Sequence, residues 1–257
     1  MNKIFKLETD KIEQKYYTIG KRLVDSVEQD VENQISKFTL SDGSLNGRLM
    51  TADWFPLVKR DIFISHSHKD IKIALTLAGK FKKELNIDCF VDSSIWKYAD
   101  SLLRLIDDQY CYQPESKTYN YNKRNYSTSH VHMMLSVALT KMIDACECLI
   151  FINTPNSITP DKVITDKSET LSPWIYSEIS MTKLIRKRTL EDHRRHAMSM
   201  ENYQESSSRK NLIVRHEVDM SELRDITMKN IDNICQNSYE DKFAALDALY
   251  ASIKKEN

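Results

Sequence analysis

The stretch Asp61-Ile62-Phe63-Ile64-Ser65-His66-Ser67-His68-Lys69-Asp70 constrains the fold more than any other part of the chain. Ile62 to Ile64 form an apolar run between polar neighbours, and an amphipathic helix pattern begins directly afterwards. A short β-branched and aromatic run of this kind reads as a strand buried on both faces. Such strands belong to parallel sheets, whose ligands gather beyond the carboxyl ends of the strands. Ser65, His66 and Ser67 therefore fall where a binding site is expected.

The surrounding pattern alternates strand and helix. A helix is expected from about Lys69 to Leu85, burying Ile71, Ala74, Leu75, Ala78 and Phe81. Ile87 to Val91 reads as a second strand, and Asp92 to Asp100 as a polar loop carrying Trp96, followed by a helix through Leu102 and Ile106. Tyr110 to His130 holds five tyrosines among Asn, Ser, Thr and Lys without a helical or strand period, and reads as a long insertion or lid. Val131 to Cys146 is helical again, Cys148 to Ile152 is the clearest central strand, and Asn153 to Ser157 closes it. Ser172-Pro173 suits an N-cap and first helical position, opening a helix to about Arg188. Asn211 to Arg215 reads as a last strand and Tyr239 to Lys255 as a closing helix. Alternation of this kind predicts a right-handed, mostly parallel α/β fold, flavodoxin-like, with helices on both faces.

Ahead of it, Leu7 to Phe38 carries apolar residues at three- and four-residue steps (Ile12, Tyr16, Ile19, Leu23, Val27, Val31, Ile35), which predicts an N-terminal helix. Packing on the main domain and docking of a partner are both open for it. A turn-rich segment, Ser41 to Gly47, follows. The expected organisation is an N-terminal helical extension over 1–52 and a main domain over 53–257, with an insertion near 110–130.

Composition excludes several functions. The 37 Lys and Arg balance 37 Asp and Glu, so no net positive field argues for nucleic acid. No apolar run is long enough to cross a bilayer, and the first ten residues lack the apolar core of a signal peptide, so a cytoplasmic protein without membrane contact is expected. The five cysteines are scattered and odd in number, which favours free thiols. Only four glycines occur, too few and too dispersed for a G-x-G-x-x-G or Walker loop. His66/His68, His130/His132 and His193/His196 are closely spaced but lack obvious third and fourth ligands, so no metal site is expected.

With these elements in order, the chain resembles Toll/interleukin-1 receptor (TIR) domains over roughly Arg60 to Arg215. Asp61 to Ser67 is similar to their first strand, Ile87 to Ser93 to the second, Asp92 to Asp100 to the loop after it, and Cys148 to Ser157 to the fourth strand. Trp174, three residues and then Glu178 are similar to the motif of TIR domains that cleave NAD. Two features depart from the family: the Asp92 loop has no Gly or Pro, and the tyrosine-rich segment is extra.

The resemblance implies an enzyme that breaks the nicotinamide–ribose bond of NAD, by hydrolysis or by cyclisation to an ADP-ribose-derived signal. Glu178 is the implied catalytic residue, and Ser65, His66, Ser67, Asp92, Trp96 and Trp174 the implied substrate contacts. The chemistry is consistent with one carboxylate. Nicotinamide departs neutral from a cationic glycoside, so no acid is required, and a carboxylate stabilises the oxocarbenium-like centre that remains. NAD is the substrate, and neither cofactor nor metal is implied. Trp96 reads equally as a loop aromatic over the core edge or as a stacking or subunit contact. The resemblance also implies self-association and, by likeness to bacterial anti-phage sensors of the Thoeris type, a separate effector that responds to the product. Two other functions are open: a non-catalytic TIR scaffold, and a nucleoside deoxyribosyltransferase-like enzyme acting on free nucleosides.

Overall fold

The structure, a computed structural model, describes residues 3–25, 35–160, 168–170, 172–185, 187, 189–195 and 216–253. Its centre is a parallel sheet of five strands: β1 (Lys3–Glu8), β2 (Ile62–Ser65), β3 (Cys89–Val91), β6 (Cys148–Asn153) and β10 (Arg224–Ile226). The order across the sheet is β10-β1-β6-β2-β3, and every pairing is parallel. The remaining strands are short. β4 (Tyr112–Gln113) and β5 (Thr118–Tyr119) form a hairpin, and β7 (Thr159–Pro160), β8 (Ser168–Thr170) and β9 (His216–Val218) form a small antiparallel sheet.

The runs Ile62–Ile64 and Cys148–Ile152 are buried on both faces, as the sequence predicts. Alternate side chains feed two separate cores. Phe63, Leu149 and Phe151 face α2 (Gly47–Trp54), α4 (Ser93–Tyr110), α5 (Tyr121–Ala145) and α6 (Pro173–Leu184). Ile62, Ile64, Ile150 and Ile152 face α3 (Ile71–Leu85), α8 (Met228–Cys235) and α9 (Lys242–Ser252), with α1 (Gln14–Asp25) lying along α3. A short α7 (Leu190–Arg195) is held by Arg194, which pairs with Glu147 and Asp247. Helices cover both faces, the doubly wound α/β arrangement.

The N-terminal segment departs from expectation. Lys3–Glu8 is an interior strand of the sheet, next to the edge strand β10, and the helix after it is limited, among the described residues, to Gln14–Asp25. Ile4, Phe5 and Leu7 are buried because β6 lies on one side of this strand and β10 on the other. Residues 3–8 are thus part of the main sheet, and α1 packs on α3. Counted from β2, the first three positions follow the 2-1-3 order of flavodoxin-like sheets. The fourth is filled by β1, from the start of the chain.

Two loop readings are also corrected. Ser93–Tyr110 is a continuous helix, because Asp92 caps it by accepting a hydrogen bond from the Ser93 N–H. The tyrosine-rich stretch is a hairpin followed by the first turns of α5, whose N-cap Asn120 accepts from the Lys123 N–H. The expected strand Asn211 to Arg215 lies outside the described residues.

Gly20 on α1 and Gly79 on α3 meet where these helices cross. A Cβ at Gly20 would stand 1.9 Å from the Leu75 carbonyl oxygen, and one at Gly79 would stand 2.0 Å from that of Tyr16. Two of the four glycines therefore serve backbone-to-backbone helix packing.

Candidate functional site

The helix after β2 lies on one face of the sheet, and α6, which follows β6, lies on the other. Neighbouring strands whose connections part in this way leave a crevice at their carboxyl ends, the usual ligand position in open α/β sheets. Ser65 ends β2, His66 and Ser67 follow it, and Asp92 directly follows β3.

Local sequence brings Glu178 to the same place. Ser172 caps α6 by accepting from the Ile175 N–H at 3.3 Å, and Pro173 takes the first helical position, as predicted. The buried face of α6 is Ile175, Glu178, Ile179 and Thr182. That is helical spacing, so the isoleucines that anchor the helix also carry Glu178 inward. Trp174, one turn earlier, is partly buried and meets the His132 ring of α5 edge to face at 5.7 Å.

The Ser65 hydroxyl donates to Glu178 Oε2 at 2.6 Å. The Asp92 carboxyl is near enough for its charge to act on Glu178. Asp92 Oδ1 also accepts from the Ser93 N–H at 2.5 Å and lies 2.6 Å from His66 Nδ1. Ser65, His66, Asp92 and Glu178 are each at most 4% exposed. Glu178 Oε1 and Ser93 Oγ are buried without a hydrogen-bond partner.

These surroundings set the protonation. Burial is the larger cause and the Asp92 carboxyl the second, and together they push Glu178 well above the usual carboxylate range, partly offset by the Ser65 hydroxyl. Burial alone would lower His66, but Asp92 and, more weakly, Asp70 carry it above its ordinary value. Burial lowers His132.

Of the residues singled out from the sequence, Ser65, His66, Asp92 and Glu178 come together. Trp174 shares their helix but packs on His132. Ser67 is only half-buried, and its carbonyl accepts from the Asp70 N–H at 2.7 Å. The backbone at Trp96 is helical, and its side chain lies outside the described residues.

Three further residues were missed. Asp70, 4% exposed, accepts from Thr154 Oγ1 at 2.5 Å and from Asn156 Nδ2 at 2.8 Å. This ties the segment after β2 to the loop after β6 at the carboxyl end of the sheet. Position after the two central strands was the available signal, since Thr154 and Asn156 lie in the closing segment of β6.

Among the described residues no cluster of three or more His, Cys, Asp or Glu side chains is arranged to hold a metal. No described helix is long and apolar enough to cross a membrane. No family model, curated protein or solved structure matches the chain.

Proposed function

We propose that the chain is a TIR-type enzyme that cleaves the nicotinamide–ribose bond of NAD, by hydrolysis or by cyclisation to an ADP-ribose-derived signal. The observation behind this reading is the Ser65–Glu178 hydrogen bond. It holds a helix-borne carboxyl beyond the end of β2 with Oε2 occupied and Oε1 unpartnered.

The chemistry follows from those two oxygens. Oε1 accepts a ribose hydroxyl, and the carboxylate faces the positive charge that develops at C1′ as nicotinamide leaves. Glu178 must be ionised for this. The cationic pyridinium ring favours ionisation when it enters, and the Ser65 hydroxyl holds the carboxylate in place. Asp92 and Ser93 supply further polar groups to the sugar. Trp174 braces α6 against α5 and so fixes the height of Glu178.

The site is closed to solvent, with the Asp70 contacts spanning it. Access therefore requires the two loops to part, and self-association is the proposed trigger. In this reading the setting is a cytoplasmic anti-phage defence system, in which a separate effector responds to the product.

The same burial favours a second reading, a non-catalytic TIR scaffold in which Glu178 and Ser65 merely lock α6 to the sheet. Chromatography of NAD incubated with dilute and concentrated protein separates the two. Nicotinamide release that grows faster than protein concentration supports the assembled enzyme. No release at any concentration supports the scaffold.

A further inference from the structure

Two residues consecutive in the chain each hold a carboxyl at the end of β2. Ser65 donates to Glu178 Oε2 at 2.6 Å, and His66 Nδ1 stands 2.6 Å from Asp92 Oδ1. The His66 and Asp92 side chains are 0% and 2% exposed, so this pair is shielded from bulk water. The far nitrogen of the ring, Nε2, is buried without a hydrogen-bond partner. A carboxylate at Nδ1 favours hydrogen on that nitrogen, leaves Nε2 as the basic atom and stabilises the imidazolium once it forms.

Loss of nicotinamide leaves a ribosyl cation that a nucleophile must capture. An oxygen nucleophile, water or a ribose hydroxyl, sheds a proton as it bonds and needs an acceptor for it. In the reading above Glu178 has no oxygen left for that task, since Oε2 takes the Ser65 hydroxyl and Oε1 the ribose. Asp92 Oδ1 is occupied by the Ser93 N–H and faces His66. We propose that His66 is the general base for capture of the cation by oxygen, with Asp92 as its positioning residue. Nicotinamide leaves with the C1′–N electron pair, the oxygen of water bonds to C1′, and its proton goes to Nε2. ADP-ribose departs and the imidazolium returns the proton to solvent. This role rests on the NAD reading and adds to it that the acceptor is an oxygen.

A competing capture separates base catalysis from mere structure. Nicotinamide can return to the cation through its ring nitrogen, which has no proton to lose and needs no base. The test incubates concentrated full-length protein with NAD and isotopically labelled nicotinamide, and measures ADP-ribose formed against label incorporated into NAD. That ratio is expected to fall at least ~100-fold in His66→Gln and in His66→Asn, because only the oxygen capture loses its base. A structural role for His66 would lower both products and leave the ratio where it was. An unchanged ratio, or loss of label incorporation together with ADP-ribose in both variants, overturns the proposal and leaves NAD cleavage standing. Wild-type protein whose only product is cyclic and joined through an adenine nitrogen does the same. Wild-type protein that neither releases nicotinamide nor incorporates label removes the NAD reading and this role with it.

Discussion

The Ser65 hydroxyl meets Glu178 Oε2 at 2.6 Å although 113 positions separate them in sequence. The bond joins the end of a central strand to the inward face of a helix packed on that sheet. In Ser65→Ala the buried oxygen loses its donor, at a cost of about 1–3 kcal/mol by chemical denaturation. Glu178 loses the contact that partly lowers its pKa, so the pH midpoint of NAD cleavage moves to higher pH. An unchanged midpoint would contradict this role for Ser65.

Glu178 also links stability to pH. Its folded value is raised above the ordinary carboxylate range, so the unfolded chain releases this proton first as pH rises. The folded state is then penalised from about the ordinary carboxylate value upward. Glu178→Gln removes the penalty. It is expected to raise Tm at pH 8 by at least about 2–4 °C, with the gain fading toward pH 4. A loss of Tm at pH 8 would show that the carboxyl is not held protonated.

The crossing of α1 and α3 gives a test of the integrated N-terminal segment. Gly79→Ala drives a methyl into the Tyr16 carbonyl. The expected cost is about 3 kcal/mol, at the upper end for overpacking. A Tm lower by roughly 6–12 °C would register it in a calorimetric scan. An unshifted Tm would mean that the two helices are free to separate.

Asp70 holds the loops after β2 and β6 together through Thr154 and Asn156. Asp70→Ala leaves both donors without this acceptor, at a cost of about 1–3 kcal/mol. Faster amide hydrogen exchange is expected around Ser67 and Thr154, with protection of the β6 interior unchanged. Equal exchange in wild type and variant would show that these contacts do not hold the crevice shut.

Much of this arrangement was legible in the sequence because the central strands are buried on both faces. Ile62–Ile64 and Cys148–Ile152 are continuous apolar runs, and their alternation with helical segments is what points to a parallel sheet interior. Their polar ends then located Ser65, His66 and, after β3, Asp92. Glu178 was found through the motif it shares with Trp174. Its inward aim became clear only with Ile175 and Ile179 on the same face.

Other parts were not legible, for local reasons. Lys3-Ile4-Phe5-Lys6-Leu7-Glu8 is short and half-charged, and it precedes a strong helical period that absorbs Leu7. Its pairing partners lie far along the chain, at 148–153 and 224–226. The start of α5 is polar because it faces solvent, so its period emerges only from Ser127, Val131 and Leu135 onward. Asp70, Thr154 and Asn156 resemble ordinary turn residues until the sheet brings their loops together.

The most direct measurement is nicotinamide release from NAD by concentrated wild-type protein and by Glu178→Gln, with the fold of the variant verified by calorimetry. The account predicts release by the wild type that rises with pH, and its loss by at least ~100-fold in the variant. Release undiminished in a folded Glu178→Gln protein would contradict it.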